Sequence, residues 1–306
     1  MKVVVTGGAG FIGSNLAEEL LKKHEVTVID NLSTGRIENL DQIIDKINFI
    51  EGSITDLDLL KSAFSGSDTV FHEAAIPSVQ RSVDDPISSN EANIEGTLKV
   101  LVAARDCGVR KLVYAASSSA YGDTPTLPKR EEMKPNPKSP YAISKLAGEY
   151  YCRVFSEVYG LKTACLRYFN VYGPRQNPQS QYAAVIPRFI TRVLAHEPPV
   201  IYGDGETTRD FTFVKDVVKA NILAMESPAE GVFNIACGER VSLNELAGKI
   251  MDITGIKLDP IYEKPRQGDI RDSLADISSA GEKLGYKPFF SLNLGLGETI
   301  KWFQKN

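Results

Sequence analysis

Residues 2–13 read Lys2-Val3-Val4-Val5-Thr6-Gly7-Gly8-Ala9-Gly10-Phe11-Ile12-Gly13, a short apolar strand running straight into glycines at positions 7, 10 and 13. Ser14 to Lys23 follows with helical amphipathic spacing, and Val26-Thr27-Val28-Ile29 gives a second strand that ends in Asp30. Strand, glycine turn, helix, strand and terminal acid in this register form the βαβ fingerprint of a dinucleotide site. Gly7 permits the tight turn, Gly10 lets backbone approach a pyrophosphate, and Gly13 lets helix pack on strand. The phosphates belong at the positive helix N-terminus. Asp30 is placed to bind the adenine ribose hydroxyls and to repel a 2′-phosphate, which favours NAD over NADP. The fold class expected is therefore α/β, a Rossmann-type doubly wound parallel sheet.

The rest of the composition is compatible with that reading. The chain has 306 residues, 42% hydrophobic and 24% charged, which suits a soluble globular protein of one large or two modest domains. A formal net charge of −4 argues against a general nucleic-acid binder. There is no run of about 18 apolar residues, so no membrane span is expected. Met1 leads directly into a strand without a basic leader, and Cys107, Cys152, Cys165 and Cys237 are widely spaced and match no zinc pattern. These features point to a cytoplasmic protein with reduced cysteines and no bound metal.

Further along, Asn48 to Gly52 reads as a third strand, Asp56 to Phe64 as a helix, and Thr69-Val70-Phe71-His72 as a fourth strand. Asn90 to Cys107 reads as a long helix with an apolar stripe of Ile94, Leu98, Leu101 and Val102. Lys111 to Ala116 makes a fifth strand that delivers Ser117-Ser118-Ser119-Ala120-Tyr121-Gly122. In Ser139-Pro140-Tyr141-Ala142-Ile143-Ser144-Lys145, Tyr141 and Lys145 are four apart, on one face of a helix with about 6 Å between Cβ atoms. A phenol with an unperturbed pKa of about 10 is a poor base at neutral pH, but a nearby ammonium favours the phenolate. Such a pair suits removal of a hydroxyl proton while hydride leaves the same carbon. Ser78, Arg81 and Ser82 follow the fourth strand at the sheet edge where open α/β folds bind ligands, and stand either as sugar contacts or as an ordinary polar loop. His72 reads as structural.

With Thr6, the glycine spacing resembles the extended short-chain dehydrogenase/reductase family. Asp30-Asn31-Leu32-Ser33-Thr34-Gly35, His72-Glu73-Ala74-Ala75, Asn93-Ile94-Glu95-Gly96-Thr97, Ser117 to Gly122, Tyr141 to Lys145 and Leu166-Arg167-Tyr168-Phe169-Asn170-Val171-Tyr172-Gly173 resemble it in order, over nearly the whole chain. Within the family the likeness is to UDP-hexose 4-epimerases. It implies that NAD is held by Gly7, Gly10, Phe11, Ile12, Gly13, Asp30, Asn31, Ser33, Thr34, Gly35, Ile54, Ala74, Ala75, Asn93, Tyr141, Lys145 and Tyr168. Ser53 stands where the family often has an Asp for the adenine amino group, which leaves that contact in doubt. Tyr141 is implied as the base, Lys145 as its partner and the holder of the nicotinamide ribose, and Ser117 as the orienting hydroxyl.

The resemblance also implies a smaller, interleaved substrate domain: residues 1–174 with about 210–238 for the cofactor, and about 175–209 with 239–306 for a nucleotide sugar. Thr208-Arg209-Asp210-Phe211 and Pro265-Arg266-Gln267-Gly268-Asp269 resemble the family's clamp. Arg209 and Arg266 are thereby assigned to the pyrophosphate, Asp269 to the uridine ribose and Asn170 to the pyrophosphate or sugar. A net anionic protein needs such local cations, and guanidinium binds phosphate in a fixed, bidentate geometry. Ser118, Ser119, Ala184, Val185, Arg188 and Tyr202 are assigned to substrate as well, and Gln181, Tyr182 and Ala183 to the uracil or hexose pocket. Ser273 falls where family epimerases place a size gate, and its small side chain leaves room for a 2-N-acetyl group. Dehydrating relatives carry Thr-Asp-Glu starting at the position of Ser117, and decarboxylating ones usually keep a Glu at the third place. Ser118 and Ser119 replace those carboxylates here, so simple return of the hydride is expected. A UDP-glucuronate epimerase or decarboxylase, with Arg81 against the C6 carboxylate, stays open, as do a net reductase and a non-catalytic NAD-binding scaffold. The long helix and the Tyr141 helix are expected to pair in a four-helix homodimer interface.

Overall fold

β1 (Lys2–Thr6) and β2 (Glu25–Asp30) lie side by side and parallel, with Val3 opposite Val26 and Val5 opposite Val28. The computed structural model describes residues 1–177, 184–265 and 271–305. β3 (Asn48–Glu51), β4 (Thr69–His72), β5 (Lys111–Ser117), β6 (Lys162–Tyr168) and a last strand, Gly231–Ile235, complete a seven-stranded parallel sheet. From one edge the order is Gly231–Ile235, β6, β5, β4, β1, β2, β3. The chain reverses its direction of travel between β1 and β4. A crevice opens there at the carboxyl ends of the strands, the position where doubly wound sheets bind ligands.

Alternation along the strands explains the two-sided core. Val3 and Val5 face α1 (Phe11–Leu20), and Val4 packs on the opposite side with Val70, Leu112 and Tyr114. α2 (Leu57–Phe64) covers that second face, with Asp56 capping its N-terminus through an Oδ1 that accepts from Leu59 N at 3.0 Å. Next come α3 (Val79–Asp84) and α4 (Pro86–Asn90). The expected long helix is interrupted: Glu91–Glu95 forms a π-turn before α5 (Gly96–Asp106). The π-turn rotates the face of the helix. Val100, Leu101, Ala103 and Ala104 are fully buried, whereas Ile94, Leu98 and Val102 of the expected stripe are half-buried. α6 (Pro140–Tyr159) carries Tyr141 and Lys145, starts on the N-cap Ser139 with Pro140 at its first position, and runs 20 residues.

A third apolar core lies apart from the sheet. α7 (Val185–Leu194) contributes Ile186, Phe189, Ile190 and Val193, and α8 (Val214–Glu226) contributes Val214. Leu246, Ala247 and Ile250 of α9 (Leu243–Thr254) and Leu296 and Ile300 of Leu292–Phe303 close it.

Candidate active site

The glycine turn is tighter than its sequence shows. Gly7 adopts φ +71°, and a Cβ there would sit 2.6 Å from the Ala74 Cα, so only glycine lets the β1 and β4 ends approach. A Cβ on Gly13 would run into the Gly7 carbonyl oxygen. α1 therefore begins at Phe11, three residues earlier than expected, with Gly10 as an extended N-cap that has no side chain to cap the first turn. Its leading N–H groups face the crevice, which suits an anion. Asp30 is 7% exposed and accepts from Ala9 N at 2.9 Å and from Leu32 N at 2.8 Å. Burial raises its pKa, and those two N–H groups oppose the rise.

These residues open into one cleft of about 820 Å³. Gly7, Gly10, Phe11, Ile12, Gly13, Asp30, Asn31, Ser33, Thr34, Gly35, Ser53 and Ile54 line one end of it; Ala74, Ala75, Tyr141, Lys145 and Tyr168 line the other, together with Ser78, Arg81 and Ala184. The shape, the bare helix N-terminus and the Asp30 carboxylate at the end of β2 fit a dinucleotide. Ser53 is engaged with Thr55, its Oγ 2.8 Å from Thr55 Oγ1. Asn93 does not line the cleft. It is buried in the π-turn, where Oδ1 accepts from Ile76 N at 2.8 Å and Nδ2 donates to the Ile76 carbonyl at 3.2 Å and to Ser144 Oγ at 3.1 Å. Its work is to hold the loop after β4 against α6. His72 is buried between Thr6 Oγ1 at 2.8 Å and Thr97 Oγ1 at 2.9 Å, and burial pushes its pKa down to about 3, with Lys145 adding to the fall. It is a neutral structural residue, as expected.

Tyr141 sits in the first turn of α6, where the helix dipole favours negative charge. Ser82 Oγ fixes that turn by accepting from Tyr141 N at 3.0 Å. One expectation changes. Burial raises the Tyr141 pKa, and a hydrogen bond with Ser117 only partly offsets it. The Lys145 ammonium is turned away from the phenol: it donates to the Ala115 carbonyl at 2.8 Å and lies 5.1 Å from the Tyr114 ring centroid. Burial pushes Lys145 itself down to about 8, against the pull of Glu73, Cys152 and Glu149. Ser117 closes β5, and its Oγ accepts from Ser119 N at 3.2 Å and from Ser119 Oγ at 2.9 Å. Ser118 and Ser119 follow in a short 3₁₀ turn.

Ser117, Ser118, Ser119, Asn170, Val185, Arg188, Tyr202, Arg209 and Ser273 are not among the residues that line the cleft. Asn170 adopts φ +35° and donates to the Asp210 carbonyl at 2.9 Å and to Ser273 Oγ at 3.3 Å, so Asn170 and Ser273 do meet. Arg209 donates to the carbonyls of Thr208 at 2.9 Å and Arg271 at 3.2 Å. Arg188 lies with its guanidinium carbon 5.7 Å from the Tyr202 ring centroid, next to Val185 on α7. Gln181, Tyr182, Ala183, Arg266 and Asp269 lie outside the described residues. Among the described residues, no group of three or more His, Cys, Asp or Glu is placed to hold a metal ion, and no helix is long and apolar enough to cross a membrane.

Among the cleft residues to which the sequence assigned no role are Arg175, Asn39 and Glu73. Arg175, at φ +71°, joins the cleft and pairs with Glu18 on α1 at 2.5 Å, across 157 residues. Asn39 steadies the glycine turn by donating to the Ala9 carbonyl at 2.8 Å. Glu73 accepts from the Tyr168 hydroxyl at 2.8 Å. Its one visible signal was an acid among the small residues after β4.

Residues 3–236 match the model of the NAD dependent epimerase/dehydratase family. The chain is 42% identical over 312 residues to a UDP-glucose 4-epimerase of Mycolicibacterium smegmatis, covering 99% of both. It superposes with TM-score 0.97 and 44% identity on a UDP-N-acetylglucosamine 4-epimerase from Methanobrevibacter ruminantium M1 in complex with UDP-N-acetylmuramic acid, covering 99% of this chain and 98% of that one. It superposes with TM-score 0.95 and 42% identity on a UDP-glucose 4-epimerase with UDP-glucose from Thermotoga maritima, covering 100% and 99%. A glycine turn, a buried acid at the end of β2 and a serine, tyrosine and lysine set beside one parallel sheet thus coincide with a match across the full length, and the chain belongs to the NAD dependent epimerase/dehydratase family, the extended type of short-chain dehydrogenase/reductase.

Proposed function

We propose that the protein is a reversible UDP-hexose 4-epimerase that accepts UDP-N-acetylglucosamine and UDP-N-acetylgalactosamine as well as UDP-glucose and UDP-galactose. The observation that carries this reading is the pair Tyr141 and Lys145 at the end of the cleft, with Ser117 hydrogen-bonded to Tyr141 behind it and serines rather than carboxylates at 118 and 119. NAD, when bound, would supply a hydride acceptor with a cationic ring, and that positive charge would favour ionisation of the buried Tyr141 phenol. Tyr141 then takes the 4-OH proton as hydride leaves C4, Ser117 orients the sugar oxygen, and Lys145 exchanges the Ala115 carbonyl for ribose hydroxyls. With no side-chain acid at 118 or 119 to carry the 4-keto sugar further, it turns about its phosphate linkage and takes the hydride back on its other face. No net redox occurs, so the cofactor stays bound through turnover.

The small Ser273, bonded to Asn170, supports room for an acetamido group. Residues about 175–209 and 239–306 form the sugar-nucleotide side of the site, with Arg209, Arg266 and Asp269 as its clamp. A homodimer is supported by α6, whose outer face exposes Ile143, Tyr150, Val154 and Val158 at helical spacing, next to Ile87 at 71% exposure. The test is incubation of purified protein with UDP-N-acetylglucosamine, UDP-glucose and UDP-glucuronate separately, without added NAD, with products read by NMR. Formation of 4-epimers without loss of CO₂ or water is expected. Pentose formation from UDP-glucuronate would replace this reading with a decarboxylase.

A further inference from the structure

Among the described residues, Glu73 is the one carboxylate that lines the cleft beside Lys145 and Tyr168, and the mechanism above gives it no work. It follows His72 at the end of β4, and its backbone N–H donates to the Thr6 carbonyl at 3.1 Å, so its side chain points to the opposite side of the sheet from the buried His72. From there it reaches past the end of β5 to Tyr168 at the end of β6, whose hydroxyl donates to Glu73 Oε1 at 2.8 Å. Asn221 on α8 donates to that same tyrosine oxygen at 2.8 Å and to the Val217 carbonyl at 3.0 Å, which locks the tyrosine proton onto the carboxylate. The acid is thus held by Tyr168, itself fixed by Asn221, and lines the same cleft wall as Ala74, Lys145 and Tyr168. A charge kept in a restricted, partly desolvated site interacts strongly with any charge placed nearby. The ligand that the fold brings there changes charge during the reaction, because its ring is cationic when oxidised and neutral when reduced.

We propose that the Glu73 carboxylate is the fixed counter-charge of the nicotinamide and biases the cleft toward the oxidised cofactor. The inference rests on NAD occupying the cleft, and it explains how an enzyme with no net redox chemistry avoids stalling with reduced cofactor bound. The titratable and charged groups that face Glu73 are Tyr168 from β6 and Lys145 from α6; Asn221 from α8 does not titrate. Burial pushes the Glu73 carboxyl up to about 7, with Tyr168 and Lys145 pulling it back, so the carboxylate is ionised at pH 8.

The test compares wild type with Glu73→Gln, which keeps the size of the side chain and its acceptor for Tyr168 but removes the charge. Full-length protein is equilibrated at pH 8 with equal concentrations of NAD⁺ and NADH, free nucleotide is removed, and the retained pair is counted after denaturation. The ratio of bound NAD⁺ to bound NADH should fall about tenfold in the variant, equivalent to a rise of about 30 mV in the potential of the bound couple. Tyr168→Phe, which keeps the carboxyl but removes a bond that holds its pKa down, should lower the ratio by less than Glu73→Gln does. An unchanged ratio in Glu73→Gln, with both affinities moving together, would overturn the proposal, as would a larger change in Tyr168→Phe than in Glu73→Gln. No sugar enters this measurement, so its result is independent of whether the epimerase reading holds.

Discussion

Glu149 lies one turn beyond Lys145 on α6 and forms a bidentate pair with Arg167 of β6, Oε1 to Nε at 2.8 Å and Oε2 to Nη2 at 2.7 Å. Both side chains are 3% exposed. The guanidinium also stacks 4.6 Å from the Tyr121 ring centroid. Burial works against the Arg167 charge, but Glu149 more than offsets it and the guanidinium pKa is raised. Replacing Glu149 with Gln keeps the shape and strands a buried cation, which costs about 3–5 kcal/mol. Unfolding entropy of roughly 2.1 cal/mol/K per residue gives about 640 cal/mol/K for this chain, so each kcal/mol moves the midpoint by about 1.6 °C. Glu149→Gln should therefore melt about 5–8 °C below wild type in scanning calorimetry. The double replacement Glu149→Leu with Arg167→Met, which removes both charges, should recover at least half of that loss. A single-variant loss under about 2 °C, or a double variant no more stable than the single one, would show that the pair does not hold α6 to the sheet.

Four further outcomes are expected. Tyr141→Phe should bind NAD normally in a fluorescence titration and lose about 10²–10⁴ in kcat; a near wild-type rate would remove Tyr141 from the chemistry. Ser273→Tyr should lower turnover of UDP-N-acetylglucosamine relative to UDP-glucose, and an unchanged ratio would sink the size-gate idea. Val154→Arg, on the exposed face of α6, should shift the protein from dimer to monomer in light scattering; wild type already monomeric would contradict the proposed interface. Because the folded Glu73 pKa of about 7 exceeds its unfolded value, that acid imposes no penalty at pH 4 and destabilises the cofactor-free fold as pH rises through 7. Cofactor-free Glu73→Gln should accordingly be more stable than wild type at pH 8 by on the order of 1–3 kcal/mol and indistinguishable from it at pH 4 in urea unfolding, whereas equal differences at both values would reject the sign.

What could be read in advance was local. The apolar runs and glycine spacing of residues 2–30 specify β1, the turn and β2, because strand alternation and the missing Cβ atoms act within a few residues. Tyr141 and Lys145 were legible as a pair because four residues make one helical face. The start of α1 was misplaced by three residues, since the glycines that look like loop also serve as its cap and first turn. The π-turn at Glu91–Glu95 was hidden because it answers to Asn93 gripping Ile76 and Ser144, the latter 51 residues away. Glu73 with Tyr168, 95 residues apart, and Arg175 with Glu18 are long-range contacts of the same kind. The direction of Lys145 was likewise not in the spacing: the Ala115 carbonyl that captures its ammonium belongs to a strand 30 residues upstream.

The central claim is that C4 loses a hydride within the cleft and regains the same one on its other face. UDP-N-acetylglucosamine carrying deuterium at C4, incubated with the protein in ordinary water and followed to equilibrium by NMR and mass spectrometry, addresses it most directly. The 4-epimer should keep its deuterium at C4, with none lost to solvent. Epimerisation with washout of the label would contradict it, because C4 would then have exchanged through a proton rather than returned its own hydride.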